Sequence, residues 1–341
     1  MNLQKHKNTL IFLSILLLAF VLRLFYLSHE SIWLDEGISI AMAKLNFAQL
    51  IDKSVIDSFP PLYYLLLHYW MLLLGDSEFS VRFLSLVFGL ASIVVSYQLT
   101  KYLWQEKVAL ITAFLLAISV FHIDYAQEAR MYSLLTFLSV SSFYFFLKWK
   151  DSAAKKWMFL LFLINLLFLY THTLAVFFIA AQNIYYFLLK KKGAIVVKSW
   201  IILQLLLLLA FLPWIQIFLL QASVWQNMVW MPAPTIRDIA GTLSTYSGSI
   251  LLTLVFCVLI LKALIPYKKE QLKFNFLVFW LAFPTALLLV FCFLFQSIYL
   301  QKYTIASSLP FFILVAYGIQ SFEQKKHKIG MLSAITVLAA I

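Results

Sequence analysis

Residues 31–61 read SIWLDEGISIAMAKLNFAQLIDKSVIDSFPP, the first long polar break after the first hydrophobic run. The stretch holds Asp35, Glu36, Asp52 and Asp57, four of the fourteen acidic residues in a chain of 341. Asp35 and Glu36 are adjacent and lie beside Trp33, where the chain leaves an apolar span. Carboxylates in or near hydrocarbon are costly, and where they persist they mark function. Asp35-Glu36 is therefore read as the centre of a lipid-facing active site, and the rest of the chain as the membrane scaffold that holds it.

Working outward, the composition agrees. The chain is 64% hydrophobic and 12% charged, against roughly 25% charged for a soluble domain. Runs of about 20 apolar residues recur, which predicts an all-α polytopic membrane protein. The first run, residues 10–27, follows Lys5 and Lys7, and no small-x-small cleavage site follows it in LFYLSHES (24–31), so it is read as a retained helix. Spans are predicted at 9–27, 81–103, 108–121, 132–147, 157–170, 173–189, 200–220, 250–265, 276–295 and 304–319, with an eleventh from 329. The chain stops at Ile341 inside that last run, so either the helix is short or the sequence is a fragment. Between the first two spans, Pro60-Pro61 introduces LYYLLLHYWMLLLG (62–75), a run too short for a crossing and rich in interfacial aromatics. It reads as a juxtamembrane or re-entrant helix within one outer loop, residues 28–80, starting where proline suits a first turn.

The charges test this count. With the N-terminus in the cytosol, the cytosolic segments hold nineteen lysines against four acids, and the outer side seven cations against ten acids. That is a strong positive-inside asymmetry, and a full crossing by residues 62–75 would collapse it. The net charge of +12 is thus topology and not a nucleic-acid surface. All four arginines, Arg23, Arg82, Arg130 and Arg237, fall on the outer half or at its interface. The lysine-rich inner loops point to a plasma membrane. Cys257 and Cys292 both lie in apolar spans and build no disulfide framework. There is no glycine-rich phosphate loop and no metal-spaced His/Cys set. The substrate expected at such an outward site is a lipid-linked, phosphate-activated group.

The outer side collects five polar loops: 28–61, 122–130, 171–173, 221–249 and 296–303. Successive residues on a helix diverge by about 100°, so Asp35 and Glu36 face different partners. One can act as general base while the other orients it or holds a cation; the alternative is a pair of acids favoured in a helix first turn. In HIDYAQEARMY (122–132), Arg130 can bind an anionic head group while Glu128 holds it or touches sugar hydroxyls, or the two simply pair. His172, in YTHT, is either a contact to phosphate or sugar or an ordinary loop histidine. Lys302 is the one cation of the last outer loop, a stabiliser of a leaving phosphate or a snorkelling lysine. Trp225, Trp230, Met231 and Pro232 read as an aromatic wall or as interfacial anchors.

WLDEGIS, DSFPPLYYLLLHYWMLLLGDSEFSVRFLS, HIDYAQEARMYSLL, YTHT, Pro213-Trp214, VWMPAPTIRD and QKYTIASSLP occur in that order. Together, over residues 10–320, they resemble the bacterial family 39-like glycosyltransferases of the GT-C fold. These are relatives of the dolichyl-phosphate-mannose protein mannosyltransferases and of the lipid A aminoarabinose transferase. The resemblance implies a single GT-C-like helical bundle over 1–341, with ten or eleven transmembrane helices and juxtamembrane helices in the first outer loop. It implies inverting transfer of a sugar from a polyprenyl-phosphate donor to a lipid, glycan or protein acceptor. It implies Asp35 as the base and Glu36 as its support. It makes Asp57, Glu128, Arg130 and Tyr132 donor-site residues, with Lys302-Tyr303 where the family usually has Arg-Tyr. Phe59 stands where relatives often carry a histidine. Whether Arg130 and Lys302 or a divalent cation neutralise the phosphate stays open, and no cofactor is certain. A polyprenyl-lipid flippase or transporter is the competing expectation, disfavoured by the lack of an inverted repeat and of midplane charges; a non-catalytic scaffold is the third.

Overall fold

The computed structural model describes residues 2–54, 59–188, 194–225, 233–264, 267–295 and 297–339, and these are helical without a strand. α1 (Asn2–Leu24) is followed by the outer-loop helices α2 (Leu34–Ala43), α3 (Phe47–Ser54) and α4 (Leu62–Leu74). α4 starts behind Pro60-Pro61 and ends at Gly75, whose φ of +80° suits glycine. α5 (Glu78–Leu103) opens on a Ser77 cap with Glu78 in its first turn. The chain continues through α6 (Glu106–Ile118), α7 (Val120–Asp124), α8 (Tyr132–Ser152), α9 (Lys155–Leu169), α10 (Ala175–Leu188) and α11 (Ala194–Trp225). It ends with α12 (Ile236–Ser247), α13 (Ile250–Ala263), α14 (Tyr267–Leu294), a 3-10 turn (Gln301–Thr304), α15 (Ile305–Gln320) and α16 (Lys325–Ala339).

Ten of the eleven predicted spans are each occupied by one helix. Among the described residues, five stretches are long and apolar enough to cross a membrane by themselves, at 4–24, 78–103, 197–217, 270–294 and 301–320. A sixth results if α12 and α13, bent by 87° at Gly248, count as one. α4 and α10 are shorter apolar helices. This is a multi-pass membrane protein.

α15 is the axis of the bundle. It packs against α6, α8, α13 and α14, and every residue from Ile305 to Ala316 is buried. At Gly318 the backbones of α15 and α13 meet: a β-carbon there would lie 2.0 Å from the Leu259 carbonyl oxygen. Close backbone approach at a small residue is how helices gain packing where lipid supplies no hydrophobic drive. Polar side chains link neighbouring helices as well. The Gln182 amide donates to Ser142 Oγ (2.5 Å), and the Asn165 amide to Gln182 Oε1 (3.1 Å). Trp200 donates to Asn183 (2.9 Å), which donates on to Gln204 (3.0 Å).

The predicted third span, 108–121, is not one helix. It breaks at extended Ser119 into α6 and α7. The break frees carbonyls in the last turn of α6, and Arg23 takes them. Its NH1 donates to Ala117 (3.0 Å) and its NH2 to Leu116 (2.9 Å), besides a bond from NH1 back to Ala19 (3.2 Å). A cation suits a helix C-terminus, and here it is fully buried. At the other end of α1, Asn8 donates to Glu106 Oε2 (2.8 Å), a carboxylate also held by Tyr97 and Lys101.

Candidate active site

The first turn of α2 carries the two acids, and they part as helical spacing requires. Glu36 points inward and has no exposure. Its Oε1 accepts from Arg82 Nε and from the Ala129 backbone N–H, each at 2.8 Å, and its Oε2 accepts from Arg82 NH2 at 2.7 Å and Trp33 N–H at 3.4 Å. Arg82, on α5, also donates to the carbonyls of Leu27 (3.0 Å), Glu30 (2.7 Å) and Ser31 (3.2 Å). One buried ion pair thus ties α2, α5, the chain leaving α1 and the turn before α8. Bidentate arginine pairs fix orientation as well as charge.

Asp35 faces the other way, part-exposed, with Oδ2 3.3 Å from Lys302 Nζ. That ammonium stands 5.5 Å from the ring centres of both Trp33 and Tyr132. Lys302-Tyr303 are presented by the 3-10 turn, which α12 grips from behind. Thr245 donates to Gln301 Oε1 (2.6 Å), Gln301 Nε2 to the Asp238 carbonyl (3.4 Å), and Tyr246 to the Thr304 carbonyl (2.8 Å).

The turn before α8 brings Glu128, Arg130 and Tyr132 to the same place. Arg130 is buried and donates through NH1 to the Asp35 carbonyl and to Ser39 Oγ, both at 3.1 Å. Its guanidinium lies 5.1 Å from the centre of the Phe59 ring, the residue noted for replacing a family histidine. Tyr63 on α4 donates to Ser85 (2.9 Å), which donates to the Arg130 carbonyl (3.1 Å). Glu128 and Arg130 do not form an ion pair among the described residues. Glu128 Oε2 is buried with no hydrogen-bond partner among the described residues. Burial pushes its carboxyl up to about 7, and the nearby charges of Lys302 and Arg130 only partly offset this. Tyr132 is buried, and its hydroxyl likewise has no partner among the described residues.

His172 closes the group. Its ring packs against Phe59 (5.0 Å) and Tyr303 (5.3 Å). Its Nδ1 accepts from the Leu174 N–H (3.2 Å), which assigns the proton to Nε2, a buried donor without a partner among the described residues. Burial, then the charges of Arg130 and Lys302, hold its pKa at about 3, so it is neutral. Leu62 N–H donates to the Tyr170 carbonyl (3.0 Å) and holds this loop to the start of α4.

Six of the predicted residues therefore gather around Asp35: Glu128, Arg130, Tyr132, His172, Lys302 and Tyr303. Glu36 lies behind them. Asp57 is outside the described residues, as are Trp230, Met231, Pro232 and the side chain of Trp225. Among the described residues, no three His, Cys, Asp or Glu side chains come together to hold a metal. Both acids of α2 already face cations, a donor set that does not fit one. Arg82, Ser39, Ser85 and the hydroxyl face of α12 were not read as part of the site. The confinement of arginine to the outer half was the signal that could have found Arg82.

A family model for dolichyl-phosphate-mannose-protein mannosyltransferase matches residues 58–217, just under half of the chain. No curated protein matches in sequence. Among solved structures, ArnT from Cupriavidus metallidurans in the apo state superposes with a TM-score of 0.70 at 14% identity, over 99% of this chain and 64% of that one. ArnT bound to undecaprenyl phosphate gives 0.66 at 15%, over 97% and 63%. The archaeal oligosaccharyltransferase AglB from Archaeoglobus fulgidus, in complex with an inhibitory peptide and a dolichol-phosphate, gives 0.60 at 12%, over 97% and 54%. The chain thus spans under two thirds of the length of these structures. It has the GT-C fold they share, and over residues 58–217 it carries the sequence pattern of the mannosyltransferase family.

Proposed function

We propose that this chain is a membrane glycosyltransferase that moves a monosaccharide from a polyprenyl-phosphate donor to an envelope lipid, glycan or protein. Transfer is inverting and takes place on the extracytoplasmic face of a plasma membrane, with the N-terminus in the cytosol. The observation that carries this reading is the convergence of one outward carboxylate, Asp35, with three cationic or N–H donors, Arg130, Lys302 and His172 Nε2. An acceptor hydroxyl or amine attacks the anomeric carbon from the side opposite the phosphate. Its proton passes to Asp35, the bond from the anomeric carbon to the phosphate oxygen breaks, and the electron pair leaves on the phosphate. The donors face the charge that grows there, a contribution of about 3–4 kcal/mol for each well-placed group. Glu36 positions Asp35. Glu128, its carboxyl raised to about 7 by burial, and Tyr132 offer hydrogen bonds to sugar hydroxyls, Tyr303 walls the donor site, and Asp57 is assigned to it on the resemblance alone.

A lipid tail has a place to lie. An apolar cavity of about 640 Å³ opens beside the histidine loop, bounded by Thr173, Leu174 and the α11 face from Gln204 to Leu219. The lysine asymmetry supports the sidedness.

The test is transfer in nanodiscs from radiolabelled polyprenyl-phosphate monosaccharides into envelope extract, with wild type and Asp35→Asn side by side. Label moved by wild type alone supports the reading. Label that stays on the donor with both proteins sinks it and points to lipid translocation.

A further inference from the structure

Two cations face the site, and they are held differently. Arg130 is fixed: one nitrogen is bonded to the Asp35 carbonyl and Ser39, and the guanidinium lies against the Phe59 ring. Lys302 is fixed only at its backbone, by the grip of α12 on Gln301 and Thr304. Its ammonium sits at the end of a flexible stem and contacts two aromatic faces and one carboxylate oxygen, Asp35 Oδ2. The aromatic faces give no direction to an N–H, so Asp35 is its one directional partner among the described residues. An ammonium of this kind is a point charge that follows the strongest anion in reach.

We infer that Lys302 is a latch on Asp35, drawn off by the phosphate of the donor, so that the proton acceptor is freed only beside a loaded donor. The inference rests on the glycosyltransferase reading. The donor's phosphodiester, seated on the fixed donors Arg130 and His172 Nε2, brings a negative charge shared by two terminal oxygens into the field that both cations exert on His172, and gains further charge as the sugar departs. Lys302 exchanges one oxygen for another. Asp35 then loses a cation that held its electron pair and gains the freedom to accept a proton. The consequence is compulsory order, with the donor bound before a productive acceptor. Among the described residues the other charges near the pair are Glu128 and Arg130: burial raises the Glu128 carboxyl to about 7, so it is only partly ionised near pH 7, and Arg130 is held in place by the Asp35 carbonyl and Ser39.

A zero-length carbodiimide joins a lysine to a carboxylate only when the two are paired, which makes the latch visible. Full-length protein in nanodiscs is treated with carbodiimide alone, with inorganic phosphate, and with undecaprenyl phosphate whose binding is measured separately by radiolabel. The Asp35–Lys302 cross-link is quantified by mass spectrometry against Lys101–Glu106, a pair 2.6 Å apart at the opposite end of the bundle. The expected result is a cross-link that falls roughly tenfold with bound undecaprenyl phosphate, less with inorganic phosphate, while the reference pair is unchanged. Bound lipid with an unchanged Asp35–Lys302 cross-link overturns the latch and leaves the enzyme reading standing. Failure of the lipid phosphate to bind overturns both. An equal fall with inorganic phosphate overturns the lipid donor as the trigger.

Discussion

Arg82 and Glu36 meet edge to edge, Nε to Oε1 at 2.8 Å and NH2 to Oε2 at 2.7 Å, in a place where Glu36 has no exposure. Removing one member of a buried pair leaves the other uncompensated, at a cost of about 3–5 kcal/mol. Glu36→Gln and Arg82→Lys are expected to lower thermal stability in detergent sharply and to reduce the yield of monodisperse protein. Lysine keeps the charge but cannot span the two carboxylate oxygens and three carbonyls that Arg82 reaches. A melting temperature within a degree or so of wild type in both variants, roughly the scatter of a surface change, would refute the anchoring role.

Asp35 should behave in the opposite way. Its partner is a part-exposed lysine at 3.3 Å, and exposed pairs contribute about 0–1 kcal/mol. Asp35→Asn is expected to melt close to wild type and to lose transfer by about 10²–10⁴-fold, the range for a lost general base. Transfer at the wild-type rate from a folded variant excludes Asp35 as the base.

Glu128 confers a pH dependence on stability. Its carboxyl is raised from the usual 4.5 to about 7, chiefly by burial, so the folded state holds the proton more tightly than the unfolded state. The resulting stabilisation is complete below the unfolded value and is lost as pH rises to the folded one. Thermal stability should therefore decline from about pH 4.5 to about pH 7, and the Glu128→Gln variant should lose this slope. Melting curves across that interval decide it; parallel profiles for the two proteins remove Glu128 as the cause.

Gly318→Ala places a methyl group 2.0 Å from the Leu259 carbonyl oxygen. Backbone must move to accept it, in a helix packed against α6, α8, α13 and α14. The expected cost is at least the 1–3 kcal/mol typical of overpacking, read as aggregation on size exclusion. Gly330→Ala, where nothing lies within 4 Å, is the matched control and should be silent.

Most of the bundle was legible because hydrophobic runs and lysine clusters are coarse signals that survive any packing detail. The candidate site was legible in part because its residues lie in polar loops between such runs, and because adjacent positions on a helix must diverge, which separates Asp35 from Glu36. The break at Ser119 was not legible: no proline or glycine marks it, and its carbonyls are satisfied by an arginine from a helix 94 residues earlier. Arg23 accordingly read as an interfacial cation when it is buried. The grip of α12 on the lysine turn was equally hidden, since Thr245 and Tyr246 make contacts that only the folded chain brings about. Glu128 and Arg130 read equally well as a simple ion pair, and only the fold shows Arg130 turned toward Asp35 and Ser39.

The two ends of α1 are fastened to one later helix, Asn8 to Glu106 and Arg23 to Leu116 and Ala117. A growing chain has neither fastening when its first helix enters the membrane. At about 5–20 residues per second, the partners emerge some 5–20 s later. For that interval Arg23, at the end of α1, lacks the Leu116 and Ala117 carbonyls and keeps only its bond to Ala19 within its own helix. The docking of α1 is therefore expected to be completed only after α6 has been made. Nascent chains arrested before residue 106 should leave α1 extractable and protease-accessible at Arg23, and chains arrested after α6 has cleared the ribosome should not.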